Sequence, residues 1–152
     1  MEPVYSTTAT ASGGRRDGRV RSATLDLAID PPGHGSATNP EELFAAGYSA
    51  CFANAAIVVA RKLKLDPAGL EVEAEVTLGR FEDGTFGLAV ELSMTAPQLT
   101  DAEARAVIEA AHERCPYSRA TRGNVEVGLV ARGGAACPRA DRAAARHHGA
   151  AA

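Results

Sequence analysis

The sequence predicts a single α/β (α+β) domain in which one long apolar helix is covered by strands of alternating polarity. Three features carry this. Residues 43–60 are almost unbroken apolar or small side chains, residues 72–78 and 86–94 alternate apolar with polar, and apolar residues recur at helical spacing over 104–115. A chain of 152 residues is long enough to bury one core and too short for two. The domain is expected over residues 1–131, with 132–152 as a disordered tail of Ala, Arg, Gly and His that has no period.

The Thr-rich stretch Tyr5 to Ala11 reads as a strand, and the glycines of Gly13 to Gly18 suit a reversal. Leu25, Leu27 and Ile29 then alternate as a second strand to about Asp30, which Pro31-Pro32-Gly33 stops, so an N-terminal hairpin is expected. Asn39 is a helix cap, Pro40 suits the first helical position, and Glu42 falls where a capping box requires it. The helix that follows is apolar all round and should be buried all round, partly by a second subunit. It is mostly Ala, with Gly47, Tyr48, Ser49 and Asn54, and is too polar for lipid. Val72, Ala74, Val76 and Leu78 pair through the Glu82-Asp83-Gly84-Thr85 turn with Phe86, Leu88, Val90, Leu92 and Met94. Thr100 and Glu103 form a second capping box, opening a helix that Pro116 ends with Cys115 on its inward face. A last strand should run from Asn124 to about Ala131.

A net charge of -3 with both signs interspersed argues against a nucleic-acid surface, and the lack of tryptophan against a stacking platform. Met1 is followed by no basic and then apolar succession, so a reducing, cytoplasmic location and no membrane partner are expected. Three cysteines are then no disulfide framework. Cysteines in buried helices are usually inert, but Cys51 and Cys115 lie on two faces that should both point into the core, where they could meet. Cys51 is about three turns beyond the helix start, where the helix dipole has faded, so a thiolate there needs another cation. Arg15, Arg16, Arg19 and Arg122 are the candidates. His112, Cys115 and Cys51 could face one metal ion, yet a fourth ligand is not evident and no metal is expected. His34, His147 and His148 receive no role, and Cys137 is a stray tail thiol.

Two segments carry a resemblance. Thr38-Asn39-Pro40-Glu41-Glu42-Leu43-Phe44-Ala45-Ala46-Gly47-Tyr48-Ser49-Ala50-Cys51-Phe52 and Cys115-Pro116-Tyr117-Ser118-Arg119-Ala120-Thr121-Arg122-Gly123-Asn124 resemble the signatures of the organic hydroperoxide resistance (Ohr) branch of the OsmC superfamily, and His112 fits the same pattern. The resemblance covers Thr8 to about Ala131. It implies an intertwined homodimer, with antiparallel and mixed sheets wrapped around two central helices and active sites between subunits. It further implies a cysteine-based peroxidase that reduces organic hydroperoxides, fatty-acid hydroperoxides included, to alcohols. Cys51 would be the peroxidatic and Cys115 the resolving residue, with an Arg and a Glu organising the thiolate. Glu41 matches the Glu by its place after Asn39-Pro40, and Arg16, beside Asp17-Gly18, matches the Arg, with Arg15 as the alternative. No cofactor is implied; dihydrolipoamide or a lipoylated protein would be the dithiol reductant. The loop Pro31 to Ala37 is shorter than the family's. An OsmC-like redox sensor or small-ligand binder without turnover is the alternative reading of the same pocket. Ten helical residues separate Glu41 from Cys51 by about 15 Å, so either a bend near Gly47 or the reach of Arg16 is needed to bring them together.

Overall fold

A computed structural model describes residues 1–14, 16–33 and 37–135, and shows two three-stranded sheets and three helices. Strands β1 (Thr10–Ser12), β2 (Gly18–Arg21) and β3 (Asp26–Ile29) form an antiparallel sheet in that order. Helix α1 (Pro40–Lys62) follows, then β4 (Glu71–Arg80) and β5 (Phe86–Ala96), helices α2 (Asp101–Arg114) and α3 (Pro116–Thr121), and β6 (Glu126–Gly133). The second sheet is mixed: β5 lies between an antiparallel β4 and a parallel β6.

The N-terminal hairpin expected from sequence is a three-stranded sheet instead. β2 escaped notice because Val20 is its single large apolar residue, between Arg19 and Arg21, so no alternation marks it. β1 starts at Thr10 rather than Tyr5 because its partner β2 ends at Arg21, opposite Thr10. The reversal between them needs Gly13: its φ is +74°, and a Cβ there would lie 2.7 Å from the Asp17 carbonyl oxygen.

Helix α1 begins where its cap predicts, with Asn39 Oδ1 accepting from the Glu42 amide at 2.8 Å. The reciprocal half of the expected box is absent, because the Glu42 carboxylate accepts from the Thr38 hydroxyl at 2.6 Å. In α2 the box is complete: Thr100 Oγ1 accepts from the Glu103 amide, and the Glu103 carboxylate accepts from the Thr100 amide at 2.8 Å.

The core lies between α1, α2 and the inner face of the second sheet. Tyr48, Phe52, Ala56, Val59 and Ala60 form the buried stripe of α1, facing Leu92 and Met94 of β5 and Val107, Ile108 and Ala111 of α2. Within one chain α1 is not buried all round. Ala46, Ala50, Asn54 and Val58, spaced four apart along the opposite side, are exposed. The first sheet also has no substantial packing against other elements of its own chain; a bridge from Ile29 to Thr38 leads from it to α1. By length and composition α1 is the one helix among the described residues that could cross a bilayer, but its aromatic side is the centre of this core.

β6 runs to Gly133, two residues past the expected end of the last strand, and its end is held by the Gly133 amide donating to Asp101 at 2.8 Å. The expected tail from residue 136 onward, including Cys137, His147 and His148, lies outside the described residues, as do Arg15, His34, Gly35 and Ser36.

The α2 box makes one stability prediction. Thr100→Ala removes the cap acceptor and the seat of Glu103, and should lower unfolding free energy by about 1 kcal/mol, read as a lower urea midpoint at unchanged slope.

Candidate functional site

Cys115 is held where neither neighbouring helix can absorb it. It caps the C-terminus of α2, with its amide bonded to the Ala111 carbonyl at 2.8 Å, and it is also the N-cap of α3, with its carbonyl accepting from Arg119 at 3.0 Å. Its backbone is extended (φ -65°, ψ 125°) because the ring of Pro116 disfavours helical geometry in the residue before it. Pro116 thus ends one helix and, at the first position of the next, begins another. The expected end of α2 is therefore found at Pro116, and α3, which is not expected from sequence, starts from the same proline.

The Cys115 side chain is fully buried and points at α1, where its thiol donates to Cys51 Sγ at 3.5 Å. Both cysteines are free thiols. A disulfide needs about 2.05 Å between the sulfurs, so closing one asks for an approach of roughly 1.5 Å. Burial pushes the Cys51 thiol up from its ordinary pKa; the Cys115 thiol pushes it further, and the Tyr117 backbone amide opposes both by favouring the thiolate.

Among the described residues, none of the arginines considered from sequence offsets this burial within the chain. Arg19 is bound to Asp26 across β2 and β3. Arg122 donates to the His112 carbonyl at 3.1 Å and pairs with Glu113 at 3.2 Å. Arg16 is exposed in the turn between β1 and β2, and Arg15 is outside the described residues. Glu41 sits in the first turn of α1, and its Oε2 is buried without a hydrogen-bond partner among the described residues. α1 runs as one α-helix from Pro40 to Lys62, so Glu41 stays about 15 Å along the axis from Cys51 in the same chain.

Gly47 serves clearance rather than the bend considered from sequence. A Cβ there would lie 3.2 Å from both Cε2 and the hydroxyl of Tyr117, whose ring rests on the helix at this point. The ring sits 5.8 Å from that of Tyr48 and 6.4 Å from that of Phe44, centroid to centroid. The Tyr48 hydroxyl donates to Ser118 Oγ at 3.0 Å and lies 3.2 Å from Thr121 Oγ1, so α3 is pinned to α1 twice. Of the three aromatics of α1, Tyr48 and Phe52 are fully buried in the core, and only Phe44 is partly exposed. Tyr117, not singled out from sequence, supplies the second aromatic surface at 40% exposure.

His112 is half-buried three residues before Cys115, and its Nδ1 is buried without a partner among the described residues. Burial first, and then the nearby Arg122 charge, lower its pKa. Among the described residues, no three His, Cys, Asp or Glu side chains gather as a metal site.

Residues 33–130 match the family described as OsmC-like protein. An organic hydroperoxide resistance protein of Xanthomonas axonopodis pv. citri is 43% identical over 136 residues, which is 84% of this chain and 94% of that one. The crystal structure of an organic hydroperoxide resistance protein from Elizabethkingia anophelis superposes with a TM-score of 0.81 at 44% identity, covering 88% of this chain and 99% of that chain. The structure of OhrB of Bacillus subtilis superposes at 0.79 with 41% identity, covering 84% and 98%. The α+β arrangement of two small sheets and three helices is therefore that of the solved Ohr proteins.

The His112 environment sets a pH dependence. With its folded pKa below the ordinary 6.5, the unfolded chain takes up the proton first as pH falls. Stability from this group is complete above about 6.5 and declines from there towards the folded value. His112→Gln should flatten that slope in urea midpoints measured between about pH 7.5 and 5.

Proposed function

Because the chain belongs to the OsmC-like family, on the branch of its organic hydroperoxide resistance relatives, we propose that it is a thiol-dependent peroxidase for organic hydroperoxides. The observation that carries the reading is the 3.5 Å approach of Cys51 and Cys115 sulfurs at a boundary of core and surface. Two thiols at that distance, one partly accessible and one fully buried, suit a nucleophile and a resolving partner.

In the proposed cycle the Cys51 thiolate attacks the distal peroxide oxygen. The O–O bond breaks, the alcohol leaves after taking a proton, and Cys51 becomes a sulfenic acid. Cys115 then attacks that sulfur, water leaves, and the disulfide forms; a dithiol such as dihydrolipoamide, free or on a lipoylated protein, returns both to thiols and becomes the disulfide itself. The protein holds no cofactor in this scheme.

The thiolate needs a cation that the described residues of the single chain do not bring to Cys51. A second copy can supply it, and three observations support that arrangement. Among the described residues, the stripe Ala46, Ala50, Asn54 and Val58 is uncovered, the first sheet lacks substantial packing in its own chain, and the buried Glu41 oxygen has no partner. We therefore read the functional unit as an intertwined homodimer in which Arg16 holds the thiolate and Glu41 orients Arg16, both reaching Cys51 across the interface. The location is read as cytoplasmic, where thiols stay reduced, with neither membrane nor nucleic acid as partner.

A coupled assay with dihydrolipoamide tests the reading. Turnover should be lost in Cys51→Ser, whereas Cys115→Ser should reduce one equivalent and then accumulate Cys51 sulfinic and sulfonic acids by mass spectrometry. Alkyl hydroperoxides should exceed hydrogen peroxide in kcat/KM about a hundredfold, since three or four buried methylenes are worth ~0.8 kcal/mol each. Absence of catalytic peroxide consumption would leave a redox-sensing or ligand-binding role for the same pocket; parity between the two peroxides would remove the organic preference.

A further inference from the structure

Tyr117 meets two consecutive turns of the same helical face. Gly47 and Cys51 are four residues apart on α1 and stacked on one side of it. The Tyr117 ring occupies the space a side chain at 47 would fill, with 3.2 Å to a Cβ placed there. Tyr117 is itself the second residue of α3, immediately after Pro116, and follows Cys115 by two residues. The short segment from 115 to 117 therefore connects a ring lodged on α1 to a sulfur 3.5 Å from Cys51.

We infer that Tyr117 is a positioning residue for the thiol pair: its ring, seated on Gly47, sets the depth at which α3 and Cys115 stand against α1 and so the distance between the two sulfurs. The inference deepens the peroxidase reading and rests on its assignment of Cys51 and Cys115 as the working pair. Ring position matters here because Cys115 has little freedom of its own, fully buried and held by backbone hydrogen bonds on both sides. Any tilt of α3 moves Cys115 Sγ directly. The Tyr117 amide, which favours the Cys51 thiolate, moves with the same tilt. The Tyr117 hydroxyl makes no hydrogen bond among the described residues, so the ring's shape, not its polarity, performs the seating.

The test uses the full chain and diamide, which takes two electrons and two protons from the thiol pair and becomes the hydrazine while the disulfide forms. Tyr117→Ala, which removes the ring, and Gly47→Val, which fills its seat, should each slow Cys51–Cys115 closure about ten- to hundredfold, the scale set by a displacement of up to 1 Å. The double variant should close no more slowly than the slower single one, because ring and seat are one device. Tyr117→Phe should close at the wild-type rate. In a Cys115→Ser background, alkylation of Cys51 should shift to higher pH in Tyr117→Ala and stay put in Tyr117→Phe, a pattern that general loosening of the fold does not produce. Wild-type closure in Tyr117→Ala overturns the inference, as does slow closure in Tyr117→Phe; should Gly47→Val not fold, the two Tyr117 variants decide alone. Loss of peroxidase activity with these closure rates as expected would fail the functional reading and leave the positioning role intact.

Discussion

A single proline organises this molecule around its two thiols. Pro116 lacks an amide hydrogen and its ring disfavours helical geometry at Cys115, so α2 must stop there and the chain must turn before it can coil again. Because Pro116 suits the first position of a helix, α3 starts at once. The outcome is a cysteine with extended backbone between two helices, bonded to Ala111 on one side and Arg119 on the other. From that start α3 brings Ser118 and Thr121 to the Tyr48 hydroxyl on α1.

The electrostatics of one chain are incomplete in a consistent direction. A partly buried thiol facing another thiol has its anion disfavoured, and the backbone amide that opposes this does not reverse it. A peroxidatic cysteine needs the thiolate, and guanidinium is the cation that keeps its charge when brought into such a setting. Glu41, with one carboxylate oxygen buried and unpaired among the described residues, is short of the same thing. Helix geometry keeps Glu41 from Cys51 within the chain, and the exposed side of α1 offers a surface on which a second chain could bring the missing charge. On the proposed reading, chemistry and assembly have one cause: the thiolate is stabilised only when the apolar helix is covered.

The elements that were legible in the sequence are those whose signals are local. Asn39-Pro40 and Thr100 with Glu103 mark helix starts because caps act within one turn. The alternation of β4 and β5 and the turn at Asp83-Gly84 are visible because one face is buried and the other wet. β2 was not legible, since Arg19 and Arg21 flank a lone Val20 and its strand identity comes from pairing with β1 and β3. Glu42 was misread in its detail because a closer donor, the Thr38 hydroxyl, competes for its carboxylate. The position of Gly47 in a helix raises the possibility of a bend, and only the Tyr117 ring lying against it reveals clearance.

Sequence alone therefore determined the fold class, the long central helix and the two cysteines at the ends of recognisable motifs, because periodicity, caps and proline act over a few residues. Tertiary structure decided the 3.5 Å between the sulfurs, the seating of Tyr117, the disengagement of Arg19 and Arg122 from Cys51, and the unburied half of α1. The sulfur distance and the seating of Tyr117 depend on which surfaces meet across more than sixty residues of chain, as Cys51 and Cys115 do, and no local preference encodes the distance at which two packed helices come to rest.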